Sequence, residues 1–196
     1  MEKKILITCF EPFGGESFNA SCAVAEAMAQ SIGGAPAEKL MLPVEFGRGA
    51  EIASAYAEKT GASLIVCLGE ARGRKAVTPE LVAINLNHAS IPDNAGAKPQ
   101  DEPIDKDGAA AYFTRFPVRK LAEKIGAAGA AASLSYSAGA YVCNDLYYRL
   151  LSRFEGSGTR AVFIHIPRED GAEAYKNMAS AISRALSDVI CEENNG

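Results

Sequence analysis

The sequence is short of histidine, with only His88 and His165 among its 196 residues. It has no run of lysines and arginines, and its formal net charge is −4. It therefore lacks the basic footprint that nucleic acid or an anionic membrane would require of a partner. No apolar stretch approaches the roughly 18 residues needed to cross a bilayer. There is no Cys-x-x-Cys pair, no Cys/His ligand spacing, and the cysteines number five, an odd count. A zinc site and a disulfide framework are accordingly not expected, and no metal or other cofactor is expected either. No internal repeat period occurs. The opening Met1-Glu2-Lys3-Lys4-Ile5-Leu6-Ile7 carries charges, lacks the long apolar core of a signal peptide and enters a strand at once, which points to the cytoplasm.

What is present reads as an ordinary globule. Apolar residues make up 48%, and the length suits one domain with a single buried core, residues 1–196. Strand patterns fall at 4–9, 39–43, 63–68, 80–86, 131–136 and 161–166. Helical patterns fall at about 19–32, 48–59, 116–127, 144–154 and 171–191. Strands alternate with helices, so the expected fold is a single-domain α/β/α sandwich around a twisted, mostly parallel sheet. Loops with Gly or Pro separate the elements, and the longest, from Ser90 to about Asp107, is of a length usually tied to function or flexibility.

Cys143 is the most informative residue. It lies in Ser137-Ala138-Gly139-Ala140-Tyr141-Val142-Cys143-Asn144-Asp145-Leu146, where small residues give way to an amphipathic helix. Its place at or just before a helix N-terminus favours a thiolate, and the thiolate should make it the first of the five cysteines to be alkylated. Cys9, Cys22, Cys67 and Cys191 read as small buried or incidental thiols. A cysteine nucleophile needs a base. His165 closes the apolar run Ala161-Val162-Phe163-Ile164, at the strand end where α/β sheets place their ligands. His88 sits at a polar strand end leading into the long loop and should be solvated and dispensable.

Several segments together resemble one family. Phe10-Glu11-Pro12-Phe13-Gly14-Gly15 with Asn19-Ala20-Ser21 is similar to the opening motif of type I pyroglutamyl peptidases, also called pyrrolidone-carboxylate peptidases. Glu80-Leu81-Val82-Ala83-Ile84-Asn85 through Ile91-Pro92-Asp93-Asn94, the Cys143 segment, and Phe163-Ile164-His165-Ile166-Pro167 resemble the family's remaining motifs, in the family's order. The resemblance implies a cysteine peptidase that removes N-terminal pyroglutamate from small peptides. It further implies Cys143 as nucleophile, His165 as base and acid, and Glu80 as the carboxylate that orients the imidazole. Phe10, Phe13, Ile91 and Tyr141 match the positions that hold the lactam ring. The family often forms homo-oligomers, and the alanine-rich helix faces are compatible with that. Three departures stand out: Ser90 replaces an arginine, Glu70 a glutamine and Ala140 a threonine. Unless Arg72, Arg74 or Lys75 compensates, Glu70 and Ser90 should make the site more negative and disfavour acidic substrates.

Overall fold

A computed structural model describes residues 3–195. Met1, Glu2 and Gly196, which the expected domain included, lie outside the described residues. In chain order the elements are β1 (Lys4–Phe10), α1 (Ala20–Ala27), β2 (Ser31–Ile32), β3 (Ala35–Leu42), α2 (Arg48–Thr60), β4 (Ala62–Glu70), β5 (Thr78–Pro79), β6 (Val82–Ile84), β7 (Ala111–Phe113), α3 (Val118–Ala127), α4 (Val142–Arg153), β8 (Arg160–Ile166) and α5 (Ala172–Asn195).

Six strands form the main sheet in the order β2-β3-β1-β4-β8-β5. The inner neighbours β3, β1, β4 and β8 run parallel, while short antiparallel strands close both edges. The cause is visible in the sequence. β1, β4 and β8 are near-continuous apolar runs, buried on both faces, as strands inside a parallel sheet must be. Alternation then sorts their side chains. Ile5, Ile7, Leu64, Val66, Leu68, Val162, Ile164 and Ile166 pack with α1, α3 and α5. Leu6, Phe10, Ile65, Cys67, Ala161 and Phe163 pack with α2 and α4 on the other face. The molecule is thus a three-layer α/β/α sandwich with a mostly parallel sheet.

Several elements differ from the sequence expectation. The first helix stops at Ala27 rather than near Ile32, and Met28 is already extended. Ser31–Ile32 and Ala35–Pro36 form a hairpin instead, turning at Gly33 and Gly34, both with positive φ (57° and 80°). Two consecutive left-handed residues are what a two-residue hairpin turn needs, and only glycine adopts them freely. The expected strand 80–86 shortens to Val82–Ile84, and a separate short strand forms just before it. Thr78–Pro79 joins the main sheet beside β8, and Val82–Ile84 leaves it to pair with β7. Residues 131–136 make isolated bridges from Ala132 to Val77 and from Ser135 to Glu80 rather than a full strand. Finally, α4 starts at Val142, so Cys143 lies inside its first turn.

One covalent feature was not expected. Cys9 and Cys22 form a disulfide, with a Cα–Cα distance of 5.0 Å. The alternation of β1 turns Cys9 toward the face that α1 covers, and Cys22 lies in the first turn of that helix. A single bridge across a sequence separation of 13 carries no multi-cysteine spacing that would mark it.

Candidate active site

The site gathers at the carboxyl ends of the parallel strands. Because Ile164 and Ile166 face α1, α3 and α5, the alternation of β8 points His165 the other way, toward α4. Opposite His165 in the sheet register stands Gly69 of β4. A side chain there would collide: an added Cβ would lie 2.9 Å from Cys143 Sγ and 2.7 Å from the Phe163 ring. Gly69 therefore makes the room in which the thiol rests against the sheet.

Two residues after Cys143 fix its helix in place. Asn144 and Asp145 are both buried. Asn144 accepts the Ile84 N–H at 3.0 Å and donates to the carbonyls of Ile84 and Leu86 at 2.8 and 3.0 Å. Asp145 accepts from Gly47 N–H at 2.7 Å, Asn87 Nδ2 at 3.0 Å and Arg149 Nε at 2.9 Å. Together Asn144 and Asp145 pin α4 to β6 and to two loops.

Glu80 is completely buried. Its N–H donates to Phe163 O at 2.8 Å, and its own carbonyl accepts the Tyr147 hydroxyl at 3.0 Å. Those bonds aim the carboxylate at β8, where Oε1 meets His165 Nδ1 at 2.7 Å. The carboxylate partner assigns the ring proton to Nδ1 and leaves Nε2 as a base. Burial pushes the His165 imidazole below its ordinary 6.5, against the upward pull of Glu80. Burial also pushes the Cys143 thiol up to about 12, reinforced by the nearby Glu80 charge. The pair therefore rests as thiol and neutral imidazole. This corrects the sequence expectation of a standing thiolate. The helix N-terminus is where it was expected, but removal from water outweighs its dipole. First alkylation at Cys143 loses its basis too, since Cys191 is the exposed free thiol.

Cys143 and His165 open onto a cavity of about 140 Å³ walled by Phe10, Phe13, Val44, Ala138 and Tyr141, with Asn19 and Glu70 at its edge. Phe13 and Tyr141 lie 6.3 Å apart, and Phe46 meets Tyr141 edge-on at 5.3 Å. The Tyr141 hydroxyl donates to Pro92 O. Ile91 is 44% exposed and stands outside this wall, with its Cδ1 over Gly14. Ser90 is exposed, and His88 is exposed with its ring against Asp101. Val44 and Phe46 carried no signal in the sequence, and Asn19 stood in the opening motif without an assigned role.

Glu70 does not make the site negative. Its Oε1 accepts from Arg72 Nε at 2.7 Å, its Oε2 accepts the Ala20 N–H at 2.7 Å, and Arg168 reaches both oxygens at 3.1 Å. Two cations and the N-terminus of α1 neutralise it, so Glu70 carries no bias against acidic substrates. Arg72 is one of the residues that could compensate; Arg168 was not foreseen.

The family model described as "Pyroglutamyl peptidase" matches residues 3–188. The chain belongs to the pyroglutamyl peptidase family. Pyrrolidone-carboxylate peptidases of Erwinia tasmaniensis and Lactobacillus johnsonii are 43% and 40% identical to it over 189 residues, covering 96% and 95% of this chain and 88% and 87% of theirs. Among solved structures, pyroglutamyl peptidase I of Bacillus amyloliquefaciens superposes with a TM-score of 0.87 at 35% identity, covering 95% of this chain and 98% of that one. The pyrrolidone carboxyl peptidase from Thermococcus litoralis gives 0.87 at 32% identity, covering 97% and 96%. Family membership thus coincides with a cysteine and a histidine that line one cavity and a buried carboxylate bound to that histidine.

Proposed function

We propose that this protein removes N-terminal pyroglutamate from small peptides, with Cys143, His165 and Glu80 as its catalytic triad and residues 1–196 as one catalytic domain. The observation that carries the reading is a Glu80-bound imidazole and a helix-terminal thiol facing one small, aromatic-walled cavity. About 140 Å³ is well below the roughly 300–1,000 Å³ of pockets for drug-sized ligands. It suits one compact ring rather than an extended chain. The walls formed by Phe10, Phe13 and Tyr141 suit the apolar faces of a lactam, and Ile91 would border the ring only after a shift of its loop.

In the reaction, His165 Nε2 takes the Cys143 proton as sulfur attacks the pyroglutamyl carbonyl. The oxyanion forms beside the first turn of α4, whose leading N–H groups favour negative charge. Glu80 steadies the imidazolium. The imidazolium gives its proton to the departing peptide amine, and the C–N bond breaks, leaving a thioester on Cys143. Water, deprotonated by His165, then releases pyroglutamate and restores the thiol.

A fluorogenic pyroglutamyl amide tests this directly. Release of the fluorophore by the wild type, and none by Cys143→Ser, is the expected result. No turnover by well-folded wild type, or equal turnover of an amide with a free α-amine, defeats the reading. A cytoplasmic site of action and assembly into homo-oligomers belong to the same proposal. Cell fractionation and light scattering check them.

A further inference from the structure

One cation at this site has no part in the reaction as described. Arg74 lies in the loop between β4 and β5, with its side chain 26% exposed. Its Nη1 donates to Glu80 Oε1 at 2.5 Å and also to Thr78 Oγ1. Its Nη2 donates to the carbonyl of Ser137 at 2.9 Å. Ser137 opens the segment that leads into Cys143. The oxygen Arg74 holds is the same one that accepts His165 Nδ1, while Glu80 Oε2 has no partner among the described residues. One guanidinium therefore joins the loop before the nucleophile to the carboxylate behind the base.

This arrangement answers a physical problem. A buried carboxylate is costly unless it is paired and hydrogen-bonded. Left unheld, it could turn away from the imidazole that it has to steady. A guanidinium stays charged at every accessible pH, and its rigid planar fork spans acceptors too far apart for a single ammonium nitrogen to bridge. The charged or titratable groups facing His165 are Glu80 and Arg74 from the β5 side, Cys143 from α4, and Glu70 across the cavity, itself neutralised by Arg72 and Arg168.

We propose that Arg74 is a positioning residue of the hydrolysis, holding the Glu80 carboxylate against His165 Nδ1 and fixing the Ser137 end of the loop that leads to Cys143. The inference rests on the triad proposed above. Its test is the pH dependence of kcat and KM for wild type, Arg74→Met and Arg74→Lys on the fluorogenic pyroglutamyl amide. Arg74→Met should leave KM nearly unchanged and lower kcat roughly tenfold to a hundredfold, as losing a group that orients a functional histidine typically does. It should also move the acid limb to higher pH, since the nearby cation opposes protonation of His165. Arg74→Lys keeps the charge but loses the fork. Its acid limb should stay near the wild-type position, with kcat between those of the other two enzymes. A methionine variant with wild-type kcat per folded molecule and an unmoved limb overturns the proposal. If that variant does not fold, a lysine variant turning over at the full wild-type rate overturns it instead. A wild type that fails to cleave the amide sinks the triad reading itself, whereas cleavage by wild type and Arg74→Met alike sinks only this inference.

Discussion

At the scale of single residues, the site is built by desolvation as much as by contact. The buried imidazole loses part of its proton affinity, so it remains a free base below the usual histidine range. The proposed hydrolysis requires that free base. The acid limb of kcat/KM should therefore lie below pH 6.5, and activity should fall as pH drops through it. Glu80→Gln removes the group that raises the His165 pKa, so its limb should move further down. The same change should lower kcat by roughly 10²- to 10⁴-fold, because the imidazolium loses its countercharge. An acid limb above the wild-type position in Glu80→Gln would contradict the pairing. The two histidines separate cleanly as well. His165→Ala should lose turnover by orders of magnitude, while His88→Ala, altering only an exposed ring beside Asp101, should retain near-wild-type kcat. Cys143 and His165 were legible from position alone, one at a helix start and one at a strand end. Glu80 was legible only through motif resemblance, since nothing local distinguishes it from an acid that begins a strand. Arg74 was legible only as a possible counter-charge for Glu70, because an irregular loop sets no register toward Thr78 or Glu80 and its third partner, Ser137, lies in a distant segment.

At the scale of elements, the place of the Cys143 thiol depends on a close approach of α4 to β4. Gly69 permits it, and the Phe163 ring behind it is fully buried and cannot swing aside. Gly69→Ala should therefore cost about 1–3 kcal/mol of stability through overpacking and lower activity by displacing the thiol. Thermal unfolding and turnover measured on the same sample check both. A Gly69→Ala enzyme with unchanged Tm and kcat would mean that the helix sits farther from the sheet. The element pattern itself was largely readable, because β1, β4 and β8 are apolar enough to declare themselves buried. The reading failed where short segments change partners. Ser31–Ile32 continues a helical composition into a hairpin, and the stretch after Thr78 serves two different sheets. Tertiary pairing, rather than local propensity, decides both.

At the scale of the whole molecule, the Cys9–Cys22 bridge ties the carboxyl end of β1 to α1 across a sequence separation of 13. By closing so short a loop it should contribute ~2–3 kcal/mol, mostly by restricting the unfolded chain. Reduction with a dithiol, or Cys22→Ser, should lower Tm by several degrees. Identical melting of reduced and oxidised protein would show that the bridge is absent in solution. Parallel strands also give the molecule a direction. The carboxyl ends of β1, β4 and β8 all converge on the cavity, whereas the Gly33–Gly34 hairpin that leads into β3 lies at the opposite end of the sheet. The protein therefore has a working end and an idle end. An engineer wishing to graft a reporter or tether the enzyme to a surface would choose the hairpin, where the attachment points away from the incoming peptide.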